Sequence, residues 1–206
     1  FHAPVISGQK TGWFYDQRVN RGRLCRYVKG KRVLDLFCYL GAWGLQAAAS
    51  GAEHVTCIDS SAKAVDWTRA NAALNGLGDK VTVQVAGAFE ALKELRAQRE
   101  RYDVIVLDPP AFIKRRKDIK EGTRAYQRLN QMAMQVLAKD GLLVSASCSY
   151  HLKRDDLQEI LLHTSRHVDR YLQVVEQGHQ GPDHPQHPAI PETSYLKAIF
   201  ARVLPN

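Results

Sequence analysis

The chain has 206 residues, a length that favours one globular domain with a proper core. Hydrophobic residues make up 45% and charged residues 24%, which excludes a disordered tail protein, and no apolar run approaches the roughly 18 to 20 residues a membrane helix needs. Lys and Arg number 29 against 21 Asp and Glu, and the formal net charge of +8 suits a nucleic-acid partner.

The chain opens on Phe1 rather than Met, so upstream residues are expected to be missing, and FHAPVISGQK holds no signal-peptide core. Val5 and Ile6 lead into the Ser7–Gly12 turn and then Trp13, Phe14 and Tyr15, which reads as a β-hairpin. Asp16 is expected to cap a basic helix carrying Arg18, Arg21, Arg23 and Arg26. From Arg32 the pattern alternates regularly. Strands are predicted over 33–37, 54–58, 81–85, 103–107 and 142–145. Helices are predicted over 45–50, 61–77, 89–99 and the second half of 114–139. A helix follows to about His167, then a strand at 171–176, a loop over 178–191 and a last strand at 194–204. Strands alternating with helices imply an α/β fold, a mostly parallel sheet with helices on both faces and a ligand beyond the strands' carboxyl ends.

Four strand ends carry residues suited to chemistry. The first runs Asp35-Leu36-Phe37-Cys38-Tyr39-Leu40-Gly41-Ala42-Trp43-Gly44, whose glycines let backbone approach a ligand at a helix start; any tight strand-to-helix turn also wants glycine. The second ends in Asp59, where an acid can accept both hydroxyls of a ribose or simply cap a helix. Ala64, Trp67 and Ala70 follow at helical spacing and read as core. The fourth ends in Asp108-Pro109-Pro110-Ala111-Phe112, a stiff loop that can offer a base a hydrogen-bonding acid and a stacking ring. The fifth ends in Ser147-Cys148-Ser149-Tyr150-His151, which sets Cys148 where a nucleophile belongs, although free cysteines are also often buried and inert. Lys114, Arg115, Arg116 and Lys117 flank the Asp-Pro-Pro loop and are candidates for phosphate contact or a solvated face. Cys25, Cys38, Cys57 and Cys148 form no CxxC pair, so neither a disulfide framework nor a metal site is expected and a reducing cytoplasm fits.

The motifs DLFCYLGAWG, CIDSSAKAV, RANAALNGL, DPPAF and SCSYHL, with GQKTGWFYDQR upstream and DHPQHPAIPETSYLKAIFARV at the close, resemble the S-adenosylmethionine-dependent 23S ribosomal RNA 5-methylcytosine methyltransferases of the RlmI type. The resemblance covers almost the whole chain. It implies a class I methyltransferase with a Rossmann-like, seven-stranded sheet. Residues 1–31 would form the hairpin and basic helix packed on a catalytic domain at 32–206. The family usually carries an RNA-binding PUA domain and a connecting domain as well, and the resemblance implies that these residues correspond to the catalytic domain alone. By the same resemblance Asp35, Phe37, Tyr39 and Gly41 would hold the methionine end of the cofactor, and Asp59 with Ser60 its ribose. Gly87, Ala88 and Asp108 would complete the cofactor site. Family members usually carry an acid for the adenine amino group where this chain has Gly87, which leaves that contact to another group. Cys148 would be the nucleophile and Asp108 the carboxylate meeting the base. Pro109, Phe112, Lys114, Arg115 and Arg116 would contact RNA, with 23S ribosomal RNA as partner. Three alternatives remain: transfer to a base amino group through the DPPAF loop, a nicotinamide oxidoreductase, which the missing GxGxxG opposes, and a non-catalytic RNA-binding module.

Overall fold

The computed structural model describes residues 1–4 and 12–206. Seven strands and six helices build it: α1 (Arg18–Leu24), β1 (Arg32–Leu36), α2 (Ala42–Ala49), β2 (His54–Asp59), α3 (Ala62–Leu74), β3 (Val81–Val85), α4 (Ala88–Ala97), β4 (Tyr102–Leu107), α5 (Ile119–Val136), β5 (Leu137–Ser147), α6 (Arg154–His167), β6 (Arg170–Gly178) and β7 (Lys197–Pro205). The sheet order is β3-β2-β1-β4-β5-β7-β6, and β7 runs antiparallel to both neighbours. The order reverses between β1 and β4, which pair in parallel from Val33↔Val104 to Leu36↔Leu107. Loops leaving these two strands diverge to opposite faces and open a crevice at their carboxyl ends.

Successive strand residues feed two cores. Leu34, Leu36, Ile105, Leu107 and Leu143 pack with α4, α5 and α6, whereas Val33, Val55, Val104, Val106 and Val144 pack with Leu24, Trp43, Ala47 and Ala72. A strand buried on both faces needs such an unbroken apolar run. Leu24 and the following Val28 are fully buried, so the segment before β1 contributes to this core. It is also tied to the far edge of the sheet: Arg23 Nη1 donates to Gln177 O at 2.8 Å, and Arg26 pairs with Glu176 at 2.9 Å.

Several expectations shift. The first arm and turn of the hairpin lie outside the described residues; Trp13 and Phe14 lead through a bend into a 3-10 turn at Tyr15–Gln17 instead of a strand. Asp16 sits buried inside that turn, Gln17 is the N-cap of α1, and Arg26 lies beyond its end. α2 starts at Ala42, directly after the left-handed Gly41. β5 begins five residues early, at Leu137, because α5 ends at Val136 and the chain pairs with β4 at once; a left-handed residue, Asp140 (φ 61°), then shifts the register before pairing resumes at Leu142. A 3-10 turn at Pro191–Thr193 delays β7 to Lys197. Among the described residues no helix is long and apolar enough to cross a membrane, and no group of three His, Cys, Asp or Glu side chains could hold a metal ion.

Candidate active site

The loop between β1 and α2 winds tightly. Phe37 (φ 63°), Tyr39 (φ 51°) and Gly41 (φ 79°) alternate through the left-handed region. For the two aromatic residues this costs about 1–3 kcal/mol each, and such strain persists only where surroundings enforce it. Here Cys38 N donates to Ile58 O at 3.1 Å, Tyr39 N to Asp59 Oδ2 at 3.0 Å, and Thr68 Oγ1 to Tyr39 O at 2.7 Å. Gly41 also has no room for a side chain, since a Cβ would lie 2.7 Å from Thr68 Cγ2. Asp59 accepts a second backbone bond, from Ser61 N at 2.9 Å, on its other oxygen. Each oxygen keeps a second lone pair for a ligand.

Asp35 lies under this loop and is fully buried. Its Oδ2 accepts from Gly44 N at 2.8 Å, and its Oδ1 has no partner. Burial pushes its carboxyl up to about 8, with Asp108 and Asp59 adding to the rise and the Gly44 amide opposing it.

A cavity of about 510 Å³ opens above these strand ends, within the usual range for small-molecule sites. Phe37, Tyr39, Asp59 and Ser60 line it on one side, and Asp108, Pro109 and Cys148 on the other. Asp35, Gly41, Gly87, Ala88, Phe112 and the Lys114–Arg116 run do not line it. Phe112 packs instead on Tyr126, with ring centroids 4.8 Å apart. Lys114, Arg115 and Arg116 are exposed. Gly87 is the N-cap of α4, and Ala86 N donates to Asp59 O at 3.0 Å, so this turn flanks Asp59. Trp67, read as core, lines the cavity half-buried, and Ala70 is exposed.

Asp108 is held from two sides: Gln17 Nε2 donates to Oδ1 at 2.9 Å and Trp43 Nε1 to Oδ2 at 3.0 Å. Burial raises its pKa most; the two donors, and Arg21 more weakly, oppose the rise, while Asp16 adds to it. Arg21 is itself buried and donates Nη1 to Phe14 O at 2.8 Å, with its guanidinium 5.3 Å from the Trp13 ring centroid. Gln17, Arg21, Trp13 and Trp43 also line the cavity; Trp43 lies inside the first strand-end motif with no role of its own read there, and the other three lie outside the strand-end motifs.

The Cys148 loop is fixed from below. Ser147 and Ser149 point to one side, where Tyr126 Oη meets their hydroxyls at 2.9 and 3.0 Å. Ser149 Oγ also accepts from Ile113 N at 3.2 Å, which joins this loop to the one after Asp108. Cys148, between the serines, faces the cavity. Lys197, paired in register with Ser147, is 5% exposed and donates to Ser149 O at 2.6 Å and Leu152 O at 2.5 Å. Burial lowers its ammonium to about 8, and the neighbouring Cys148 charge opposes that fall.

The sheet order, the antiparallel β7 and the cavity over the β1 and β4 ends define a class I methyltransferase fold. Two solved structures agree. The chain is similar to SMU.776, crystallised in complex with SAH (TM-score 0.82, 24% identity, 93% of this chain and 50% of that one). It is also similar to the SAM dependent methyltransferase from Agrobacterium tumefaciens (TM-score 0.70, 24% identity, 95% of this chain and 64% of that one). The chain belongs to the family described as Conserved hypothetical protein 95, whose model matches residues 21–170. Curated relatives bear out the resemblance drawn from the motifs. Proteins named Ribosomal RNA large subunit methyltransferase I are 42% identical over 200 residues in Shewanella denitrificans and 40% over 199 in Aeromonas hydrophila, covering 97% and 96% of this chain. The chain spans 50% of the length of each of these relatives.

Proposed function

We propose that this chain is the catalytic portion of an S-adenosylmethionine-dependent ribosomal RNA methyltransferase that forms 5-methylcytosine through a cysteine adduct. The observation that carries the reading is a single cavity bounded at one end by Asp59 and the strained 37–41 loop and at the other by Asp108 and Cys148. The curated relatives' shared name supports ribosomal RNA as substrate.

The cofactor half fits its expected ligand. Asp59 has lone pairs left for two ribose hydroxyls, with Ser60 beside it. Phe37, Tyr39 and Gly41 would shape the wall for the methionine end, with Asp35 bracing Gly44 behind them, and residues 86–88 would border the adenine. The bound cofactor supplies an electrophilic methyl group.

Cytosine C5 is a weak nucleophile, and the chain's residues correct that. The Cys148 thiolate adds to C6, the C5–C6 π electrons move to C5, and a proton held by Asp108 stabilises the ring at N3. The raised pKa of Asp108 suits a carboxyl that keeps such a proton. C5 then accepts the methyl group, the C5 proton passes to water as the C5–C6 double bond re-forms and Cys148 leaves C6, and the N3 proton returns to Asp108, which restores the aromatic ring. The target base has to leave its stack to reach this depth, and the rigid Pro109 wall would receive it. Lys114, Arg115 and Arg116 would meet phosphates outside the cavity, while Phe112 would shape the loop from behind through Tyr126. A 23S ribosomal RNA substrate and a cytoplasmic setting complete this reading.

A second reading has its own support: Asp108 to Ala111 line the cavity continuously, as transfer to a base amino group would require. Mass spectrometry of nucleosides from ribosomal RNA incubated with the protein and methyl-labelled cofactor separates the two. Label in 5-methylcytidine is expected; label only on an exocyclic nitrogen overturns the cysteine mechanism.

A further inference from the structure

A second cavity, of about 460 Å³, adjoins the first at Leu196, which lines both. The chain passes from one to the other within two residues: Cys148 lines the first, Tyr150 and His151 the second. Arg116, Lys153, Arg154 and Lys197 also line the second, and no carboxylate does among the described residues.

The lining therefore presents positive charge with no acidic side chain among its described residues to balance it. Lys153 and Arg154 are the N-cap and first residue of α6, where the helix dipole disfavours cations. The carboxylates beside them give partial relief. Asp156 is engaged in capping, accepting from Lys153 N at 2.9 Å, and Asp155 favours the charged Arg154. Against that, burial and Arg23 both disfavour its charge, and Arg154 in turn disfavours the charge on Lys197, which Asp156 and Cys148 support. Arg154 Nη1 is buried without a hydrogen-bond partner. Leaving that donor unbonded is costly, and the rest of the half-buried Arg154 side chain lines the cavity, where a phosphate oxygen is the natural acceptor for a guanidinium. Arg115 takes the nearby Asp118 at 3.1 Å, and Arg116 has no ion pair among the described residues. Beside these cations, Tyr150 and His151 stand edge to face with centroids 5.3 Å apart, and Tyr150 is 39% exposed, a surface on which a base can stack.

We propose that the second cavity binds the nucleotide adjoining the target in the RNA strand, with its phosphate on Arg154, Arg116 and Lys153 and its base against Tyr150 and His151. This rests on the RNA reading given above. It makes the enzyme recognise at least a dinucleotide step, one base in each cavity, by charge and stacking and not by a base-edge code.

The test uses short single-stranded oligoribonucleotides with one cytidine, bound to the full chain in the presence of S-adenosylhomocysteine and followed by fluorescence anisotropy. For the wild type, affinity should step up at least tenfold when one flanking nucleotide is added on one side of the cytidine, and much less on the other. Tyr150→Ala should weaken that step five- to a hundredfold, and Tyr150→Phe should retain it. Arg154→Gln should reduce the slope of log affinity against log salt by about 0.7. Calorimetric affinity for S-adenosylhomocysteine should not change in any variant. If wild type binds the oligonucleotides but gains nothing from either neighbour, the subsite is overturned while the RNA reading stands. If wild type binds none of them, both fall.

Discussion

The two ends of the cavity are built in opposite ways. At the β1–β2 end the parts satisfy one another locally: Asp59 holds Tyr39 N and Ser61 N, and Thr68 holds Tyr39 O, all within about thirty residues. At the β4–β5 end they are gathered from the whole chain. Gln17 reaches Asp108 across 91 positions, Tyr126 anchors Ser147 and Ser149, and Lys197 reaches back 48 positions to Ser149. A local site tolerates change elsewhere in the domain. A gathered site depends on the docking of α1 and β7, so its chemistry is tied to the folding of the whole.

The comparison is sharpest when each end is removed in turn. Cys148→Ala should abolish methyl transfer by many orders of magnitude, because a covalent path is lost and each 1.36 kcal/mol of barrier is a factor of ten. It should leave S-adenosylhomocysteine affinity unchanged, as the β1–β2 end is intact. RNA carrying 5-fluorocytidine should trap an adduct that requires both cofactor and Cys148. Methylation of C5 by the variant above a few per cent would move the nucleophile elsewhere, with Cys38 the first to examine.

Asp59→Ala is the reciprocal experiment. Two charge-assisted hydrogen bonds to a ribose are worth about 1.5–3 kcal/mol each, so cofactor affinity should fall roughly a hundredfold or more. The loss also frees Tyr39 N and Ser61 N, so the strained loop should relax with it. Asp59→Asn, which keeps one acceptor oxygen, should fall between wild type and Ala. Calorimetry giving a dissociation constant within threefold of wild type would remove Asp59 from the site.

This contrast also explains what the sequence could disclose. The order of strands and helices was readable because the central strands β1, β2 and β4 are apolar runs, whereas the edge strands β3 and β6 interleave polar residues and showed through their Val, Leu and Tyr positions. The β1–β2 end was readable because its residues follow one another at strand ends. Gln17, Tyr126 and Lys197 were not readable as site residues, and Trp43, although inside the first strand-end motif, gave no sign of its reach to Asp108. Their partners are distant in the chain, and each looks like an ordinary residue of its own element. Phe112 misled for a related reason: its position after two prolines suggested a presented ring, but Tyr126, four helical turns' worth of chain away in sequence, gives that ring a packing partner. The hydroxyl pair of Ser147 and Ser149 leaves one legible trace, since residues two apart in extended chain share a side and therefore turn Cys148 to the other.

Buried charge offers a smaller test of the local end. The Asp35 carboxyl is raised to about 8 from an ordinary 3.8. The folded protein therefore keeps a proton, between those values, that the unfolded chain releases. The stability this gives is full below about pH 4 and is lost as pH rises towards and through 8. Asp35→Asn stays neutral throughout and can still accept from Gly44 N. Thermal melting should show wild type losing stability relative to Asp35→Asn between pH 5 and 8. Parallel curves would mean that Asp35 is ionised, and satisfied, in the folded protein.

The smallest effect concerns the turn where the resemblance leaves an acid missing. Gly87 is the N-cap of α4, and the exposed Glu90 is its third helical residue, the position from which a glutamate folds back over a cap. A Cβ at Gly87 would collide with the Glu90 carboxylate. The carboxylate therefore occupies the space that a side chain at position 87 would fill, and Glu90 is expected to meet the adenine amino group. An exposed hydrogen bond of this kind is worth about 0.5–1.5 kcal/mol, so Glu90→Ala should weaken S-adenosylhomocysteine two- to tenfold, and Glu90→Gln less. The cleaner measure is discrimination. An inosine analogue of the cofactor product has a carbonyl where adenine has its amino group, and wild type should bind it less well because two acceptors then face each other. Glu90→Ala should lose that preference, and Gly87→Asp placed in the same variant should restore it by supplying the carboxylate from the cap itself. If Glu90→Ala discriminates as well as wild type, the adenine edge is read by backbone alone.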